Sequence, residues 1–117
     1  AYKVDNLIST VDLNGQQIDG STDHVLHMGD LKAKWEAFGW HVLSLDKGNN
    51  VAEIVNTLKL AKTFVGKGKP IMILMKTEMG HGVDFMMGSH KWHGVAPNDD
   101  HLKEALTQNY IDTVADY

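Results

Sequence analysis

Three short segments of this chain carry the side chains with chemical potential. The first is Val11-Asp12-Leu13-Asn14-Gly15-Gln16-Gln17-Ile18-Asp19-Gly20. Asn14 brings a neutral amide oxygen, and Gly15 lets the backbone turn so that neighbouring carbonyls point inward. A hard cation such as Mg²⁺ favours that donor set, completed by a carboxylate and phosphate oxygens. Asn-Gly between apolar residues is also a strong hairpin signal, and the two readings stay open here. Residues 17–23 do not read as a returning strand. The second segment is Lys76-Thr77-Glu78-Met79-Gly80-His81-Gly82, and the third is His90-Lys91-Trp92-His93-Gly94-Val95-Ala96-Pro97. The glycines at 80 and 82 allow a tight backbone course close to a ligand. His81, His90 and His93 have spacings that permit a zinc site, but no Cys, Asp or Glu at a typical ligand spacing supports one. His24 and His27 form another pair, read as surface residues.

These segments need elements to hold them. Residues 3–13 read as one buried strand, ending where the Asn14 turn begins. Residues 21–29 read as loop, with Leu26 and Met28 facing the core. Asp30 is placed to cap a helix whose Leu31, Trp35 and Phe38 form a core-facing stripe, ended by Gly39. Residues 40–46 read as a second strand, and 47–50 as plain turn. Asn50 with Glu53 forms a near capping box. The helix it opens sets Val51, Ile54, Val55, Leu58 and Ala61 on one face. Gly66-Lys67-Gly68-Lys69-Pro70 suggests a phosphate loop, but it precedes a strand and not a helix. It reads as a helix-to-strand turn. Residues 70–75 are apolar on both faces, as in a parallel strand covered on two sides. The order predicts a parallel βαβαβ sheet covered by helices. Right-handed crossovers then bring Asn14 and Lys76 to one rim, at the carboxyl ends of the strands. Residues 98–109 read as a helix capped by Asn98 or Asp99, with Leu102, Ala105 and Leu106 inward. Residues 110–117 read as a tail.

The motifs in sequence resemble the transketolase family. Asp12-x-Asn14-Gly15 with Ile18-Asp19-Gly20 is similar to its thiamine diphosphate and metal loop. Lys76-Thr77-x-x-Gly80-x-Gly82 and Trp92-His93-Gly94-Val95-Ala96-Pro97 are similar to its later motifs, and Lys34-Trp35-Glu36-Ala37-Phe38-Gly39-Trp40 continues the likeness. The resemblance implies that the Asn14 side chain and the Gln16 carbonyl bind Mg²⁺ or Ca²⁺. It implies that Ile18 packs on thiamine diphosphate. Lys76 and His93 would line its diphosphate and substrate end, with His93 catalytic. A cation beside a diphosphate has a plain electrostatic purpose, and an imidazole there donates a hydrogen bond or shuttles a proton. His90 matches no fixed family residue. The details around residues 83–87 look most like the small-subunit form of enzymes split into two polypeptides.

The implied fold is a partial thiamine diphosphate-binding α/β domain over residues 1–117. The family's Gly-Asp-Gly stretch, whose Asp is the other protein ligand of the metal, is expected upstream of Ala1. The pyrimidine-binding domain is expected on another polypeptide. The implied activity is the transfer of two-carbon ketol units between sugar phosphates, in a homo- or hetero-oligomer and only with those further chains. The competing expectation is a non-catalytic assembly module of the same fold. A third is a sister enzyme of the same cofactor class, which the Ile18-Asp19-Gly20 and Trp92-His93-Gly94 motifs disfavour.

Composition narrows the remaining classes. The 117 residues suffice for one small core. A formal net charge of -4 leaves no basic footprint for nucleic acid. No apolar run is long enough to cross a membrane, and the start of the chain does not read as a signal peptide. The absence of cysteine excludes disulfides and thiolate chemistry and suits a cytoplasmic setting.

Overall fold

The computed structural model describes residues 2–109. The expected tail at 110–117 lies outside the described residues. A parallel three-stranded sheet organises the fold: β1 (Ile8–Leu13), β4 (His41–Leu45) and β5 (Ile71–Lys76), in the order β1-β5-β4. β5 is the apolar run Ile71-Met72-Ile73-Leu74, and its place at the centre explains that composition. It is flanked on both edges and covered on both faces, so Ile71 to Leu74 are all buried. In register, Ile8 and His41 lie beside Ile71, and Thr10 and Leu43 beside Ile73.

One face packs on α3 (Val51–Lys62). Leu45, Ala61, Ile71 and Ile73 form the core there, with Ile8, Leu43, Ile54, Phe64 and Met75 against it. Asn50 caps α3 as expected, its Oδ1 accepting from the Glu53 N–H at 3.1 Å. The 66–70 segment is the expected turn, and Asp5 ties it down. The Asp5 carbonyl accepts from Gly66 N–H, and the Asp5 carboxylate from Gly68 N–H. The other face carries α2 (Leu31–Ala37) beside β4. Asp30 caps it through Ala33 N–H at 2.9 Å, and Gly39, at φ +85°, ends it. Trp35 packs edge-on against Trp40 with ring centroids 5.1 Å apart.

Several expectations are corrected. The first strand covers Ile8–Leu13 and not 3–13, and it is only half-buried. Lys3 has φ +49°, which breaks extended backbone, and β1 is paired on one side only. Residues 17–23 do contain a returning strand. β2 (Gln16–Gln17) pairs antiparallel with β3 (Gly20–Ser21) around the Ile18-Asp19 turn. This hairpin turns at Ile18-Asp19, and Asn14-Gly15, the pair that carries the hairpin signal in the sequence, is not its tip. The 21–29 stretch is not all loop: α1 (Thr22–Val25) is a single turn capped by the Ser21 hydroxyl. The expected inward residues Leu26, Met28, Phe38, Val51, Val55, Leu58 and Leu102 are exposed, Phe38 at 80%. Helical spacing places a side chain on a face, and burial also needs a facing layer. On α3 only Ile54 and Ala61 of the expected stripe reach the sheet core, and the other side chains named here lie outside that contact.

Candidate functional site

The Asn14 turn forms where β1 leaves the sheet. Asn14 Oδ1 accepts from Gln16 N–H at 2.8 Å, closing a side-chain turn across Gly15, which has φ +72°. The Gly15 carbonyl accepts from Thr22 N–H at 2.9 Å. In an antiparallel ladder, bonded and non-bonded pairs alternate. The bonded Gly15·Thr22 pair therefore makes Gln16·Ser21 a non-bonded pair, and the Gln16 N–H and C=O both point away from β3. One side of this small hairpin thus presents two oxygens, Asn14 Oδ1 and the Gln16 carbonyl. Both are neutral hard donors, the kind a Mg²⁺ or Ca²⁺ ion accepts.

Asn14, Gln16 and Ile18 line an open pocket of about 440 Å³ together with His93. Four of the five residues singled out from sequence therefore share one depression, although His93 lies 79 positions beyond Asn14. Gln17, Asp19, Val25 and Met79 complete its lining. No role was assigned to these four from sequence. Val25 sits on the unforeseen turn of helix, and Met79 lay between better-marked motif residues. The pocket thus gathers oxygen-bearing Asn14, Gln16 and Asp19, apolar Ile18, Val25 and Met79, and His93. Among the described residues no three His, Cys, Asp or Glu side chains group to hold a metal ion by themselves. A metal held here takes the rest of its oxygens from elsewhere.

Lys76, the fifth residue, lies on the other side of the turn. It shares with Asn14 and Gln16 a larger depression of about 800 Å³ on the second sheet face, walled by Val11, Leu13, Trp35 and Leu74. Asn14 and Gln16 form the ridge between the two hollows.

The loops that bring these residues together are tied by polar contacts. The Thr77 hydroxyl donates to the Asp12 carboxylate, and Thr77 N–H to the Leu13 carbonyl. The 47–50 loop is more than plain turn. Gly48 N–H donates to the Lys76 carbonyl at 2.8 Å, and a Cβ on Gly48 would sit 2.6 Å from that oxygen. Gly80 and Gly82 follow the expected tight course, at φ +72° and +92°, and press closely on the chain itself: a Cβ at 80 would sit 2.6 Å from the Met86 Cβ, and one at 82, 2.7 Å from Asn109 Oδ1. His93 follows a 3₁₀ turn (His90–Trp92), which its N–H closes onto the His90 carbonyl. Trp92 Nε1 donates to the Phe85 carbonyl at 2.8 Å, and the Trp92 ring meets Phe85 and His101 of α4 (Asp99–Gln108) edge-on, with Phe85 and His101 tilted against each other.

Comparison with known proteins identifies the family. The family profile described as transketolase, thiamine diphosphate binding domain, matches residues 1–114. This chain belongs to that family. It is 40% identical over 106 residues to the 6-deoxy-6-sulfo-D-fructose transketolase subunit SqwG of Clostridium sp. (strain MSTE9), a match covering 91% of this chain and 38% of that protein. It is 35% identical over 107 residues to an apulose-4-phosphate transketolase subunit of Phocaeicola vulgatus, covering 92% of this chain and 37% of that protein. The crystal structure of transketolase from Campylobacter jejuni subsp. jejuni NCTC 11168 superposes with a TM-score of 0.83 at 33% identity, over 95% of this chain and 17% of that one. The chain thus spans well under half the length of these relatives. Among the described residues, no helix is long and apolar enough to cross a membrane.

Proposed function

We propose that residues 1–117 act as one partial diphosphate-binding domain of a thiamine diphosphate-dependent transketolase. The reaction is transfer of a two-carbon ketol unit between sugar phosphates. When bound, thiamine diphosphate supplies the electron sink for that carbon chemistry. The role of this chain is to hold and orient. Asn14 Oδ1 and the Gln16 carbonyl donate two oxygens to Mg²⁺ or Ca²⁺, and Ile18 packs on the cofactor. Lys76 offers positive charge to the diphosphate from the far side of the turn. His93 is the group that touches the substrate end and moves a proton there.

The observation that carries this reading is the single pocket shared by Asn14, Gln16, Ile18 and His93. A structural loop histidine has no need to meet a turn from the other end of the sequence. Two neutral oxygens from this chain are too few to hold a hard divalent ion tightly. Activity therefore requires further polypeptide, carrying the remaining metal carboxylate and the pyrimidine-binding domain. The sulfofructose and apulose-phosphate relatives are themselves named as subunits, which supports such a division. A cytoplasmic homo- or hetero-oligomer is part of the same proposal.

Calorimetry with thiamine diphosphate, with and without MgCl₂, tests it on the chain alone and with its companion polypeptide. Heat that depends on Mg²⁺ is expected in the assembled sample. Silence in both samples sinks the cofactor reading and leaves a non-catalytic module.

A further inference from the structure

His93 lies on a loop, and something has to keep that loop beside the Asn14 turn. The geometry points to Glu78: we propose that Glu78 is a positioning residue, locked in place by Asn49, whose carboxylate holds the loop that carries His93 against the pocket.

Three contacts make the case. Asn49 grips the backbone of Glu78 at both polar groups. Its Oδ1 accepts from Glu78 N–H at 2.7 Å, and its Nδ2 lies 3.5 Å from the Glu78 carbonyl. The side-chain amide stands in for a neighbouring strand, and the bond is made across 29 positions of sequence. Glu78 thus leaves β5 with its backbone fixed and its side chain aimed. Its Oε1 accepts from Gly88 N–H at 2.8 Å. That bond closes residues 78–88 into a loop and sets the start of the 3₁₀ turn, where Ser89 Oγ accepts from Lys91 N–H. His93 follows directly. Its other anchor is Trp92 Nε1 on the Phe85 carbonyl, inside the same loop. Met79, next to Glu78, lines the pocket with His93. A carboxylate accepting from a backbone N–H is among the stronger single hydrogen bonds. Glu78, Asn49 and Gly88 are all exposed, so the latch adds little to global stability and acts mainly on placement.

This inference rests on the proposed cofactor site, so its test has two arms, both on the full chain with its companion polypeptide. Glu78→Ala removes the acceptor, and Glu78→Gln keeps it. In the first arm, amide hydrogen exchange without cofactor is followed from Gly88 to His93. Exchange there is expected to be faster in Glu78→Ala than in wild type, with Glu78→Gln restoring protection and the melting temperature of all three within a few degrees. Equal exchange in Glu78→Ala and wild type, or a Gln variant that behaves like Ala, overturns the latch whatever the cofactor does. In the second arm, Mg²⁺-dependent binding of thiamine diphosphate is expected to weaken by about tenfold or more in Glu78→Ala, the usual size for a group that orients a ligand-contacting residue, and to recover in Glu78→Gln. Wild-type binding with unchanged affinity in Glu78→Ala overturns the positioning role. An absence of binding in wild type itself counts against the cofactor reading, and the exchange arm then decides the latch.

Discussion

At the residue scale, Asn14 does two jobs that can be separated. Its Oδ1 closes the turn over Gln16 N–H, and under the proposed function the same oxygen would bind the metal. Asn14→Ala removes both, so thermal unfolding should show a loss of about 1 kcal/mol, the worth of one hydrogen bond. Mg²⁺-dependent binding of thiamine diphosphate should fall with it. Asn14→Asp keeps an acceptor for Gln16 N–H and adds a charge that hard cations favour. Its stability should stay near wild type and its metal-dependent binding should persist. A binding loss as large in Asp as in Ala would show that the oxygen is not a metal ligand. Gly48 gives a second test. A Cβ there meets the Lys76 carbonyl at 2.6 Å and the Thr77 Cγ2 at 2.7 Å, whereas one on Gly94 meets nothing within 4 Å. Gly48→Ala should cost about 1–3 kcal/mol in chemical denaturation, as overpacking does, and Gly94→Ala should cost far less. Equal costs would mean that the 47–50 loop is not clamped on the end of β5.

At the element scale, β5 holds the site together. Its neighbours β1 and β4 end at the same rim, where Asn14 follows β1 and Lys76 is the last residue of β5. Ile73 sits at the middle of β5 with 1% of its surface exposed. Ile73→Ala should therefore cost about 2–5 kcal/mol, the range for a buried aliphatic truncation, read from the denaturation midpoint. A cost under about 1 kcal/mol, well below that range, would mean that α3 does not pack there as described. This strand was legible from sequence because its burial is two-sided and its apolar run continuous. The caps at Asp30, Asn50 and Asn98 were legible too, since each acts on a backbone N–H three residues on. The hairpin at Ile18-Asp19 was not, because two-residue strands leave no alternation to detect. The clamp by Gly48 and Asn49 was missed for another reason. Asn49 bonds to a residue 29 positions away, and nothing local in Lys47-Gly48-Asn49-Asn50 tells a clamp from a turn. Phe38 and Leu102 were misread because periodicity reports which way a side chain points and not what lies opposite. Motif order singles out Asn14, Gln16, Ile18 and His93, which the fold sets around one pocket, whereas Val25 and Met79, which line it too, carry no such signal in the sequence.

At the scale of the whole molecule, the surface is out of proportion to the core. The apolar side chains withdrawn from water are Leu45, Ala61, Val83 and the four at 71–74. Against them stand exposed Leu7, Ile18, Leu26, Phe38, Val51, Leu60 and Val95, among others. The accessible surface is 8677 Å². A compact chain of 13.0 kDa is expected to show roughly 6,300 Å². The outer edges of β1 and β4 are unpaired among the described residues, which leaves rows of backbone donors and acceptors open to another chain. Obligate interfaces remove on the order of 2,000–5,000 Å² in total, about half of it from each partner, and a surplus of roughly 2,300 Å² on one chain falls within that per-partner range. The 117-residue polypeptide on its own should therefore not persist as a well-behaved monomer. Native mass measurement at micromolar concentration should find it above 13.0 kDa, and a companion polypeptide should raise its melting temperature in proportion to the logarithm of its concentration, as mass action requires. A 13.0 kDa monomer with a sharp cooperative melt that no companion shifts would show that the exposed apolar faces tolerate water. The proposal of companion chains would then rest on the proposed metal site alone, where two neutral oxygens fall short of what a divalent ion demands.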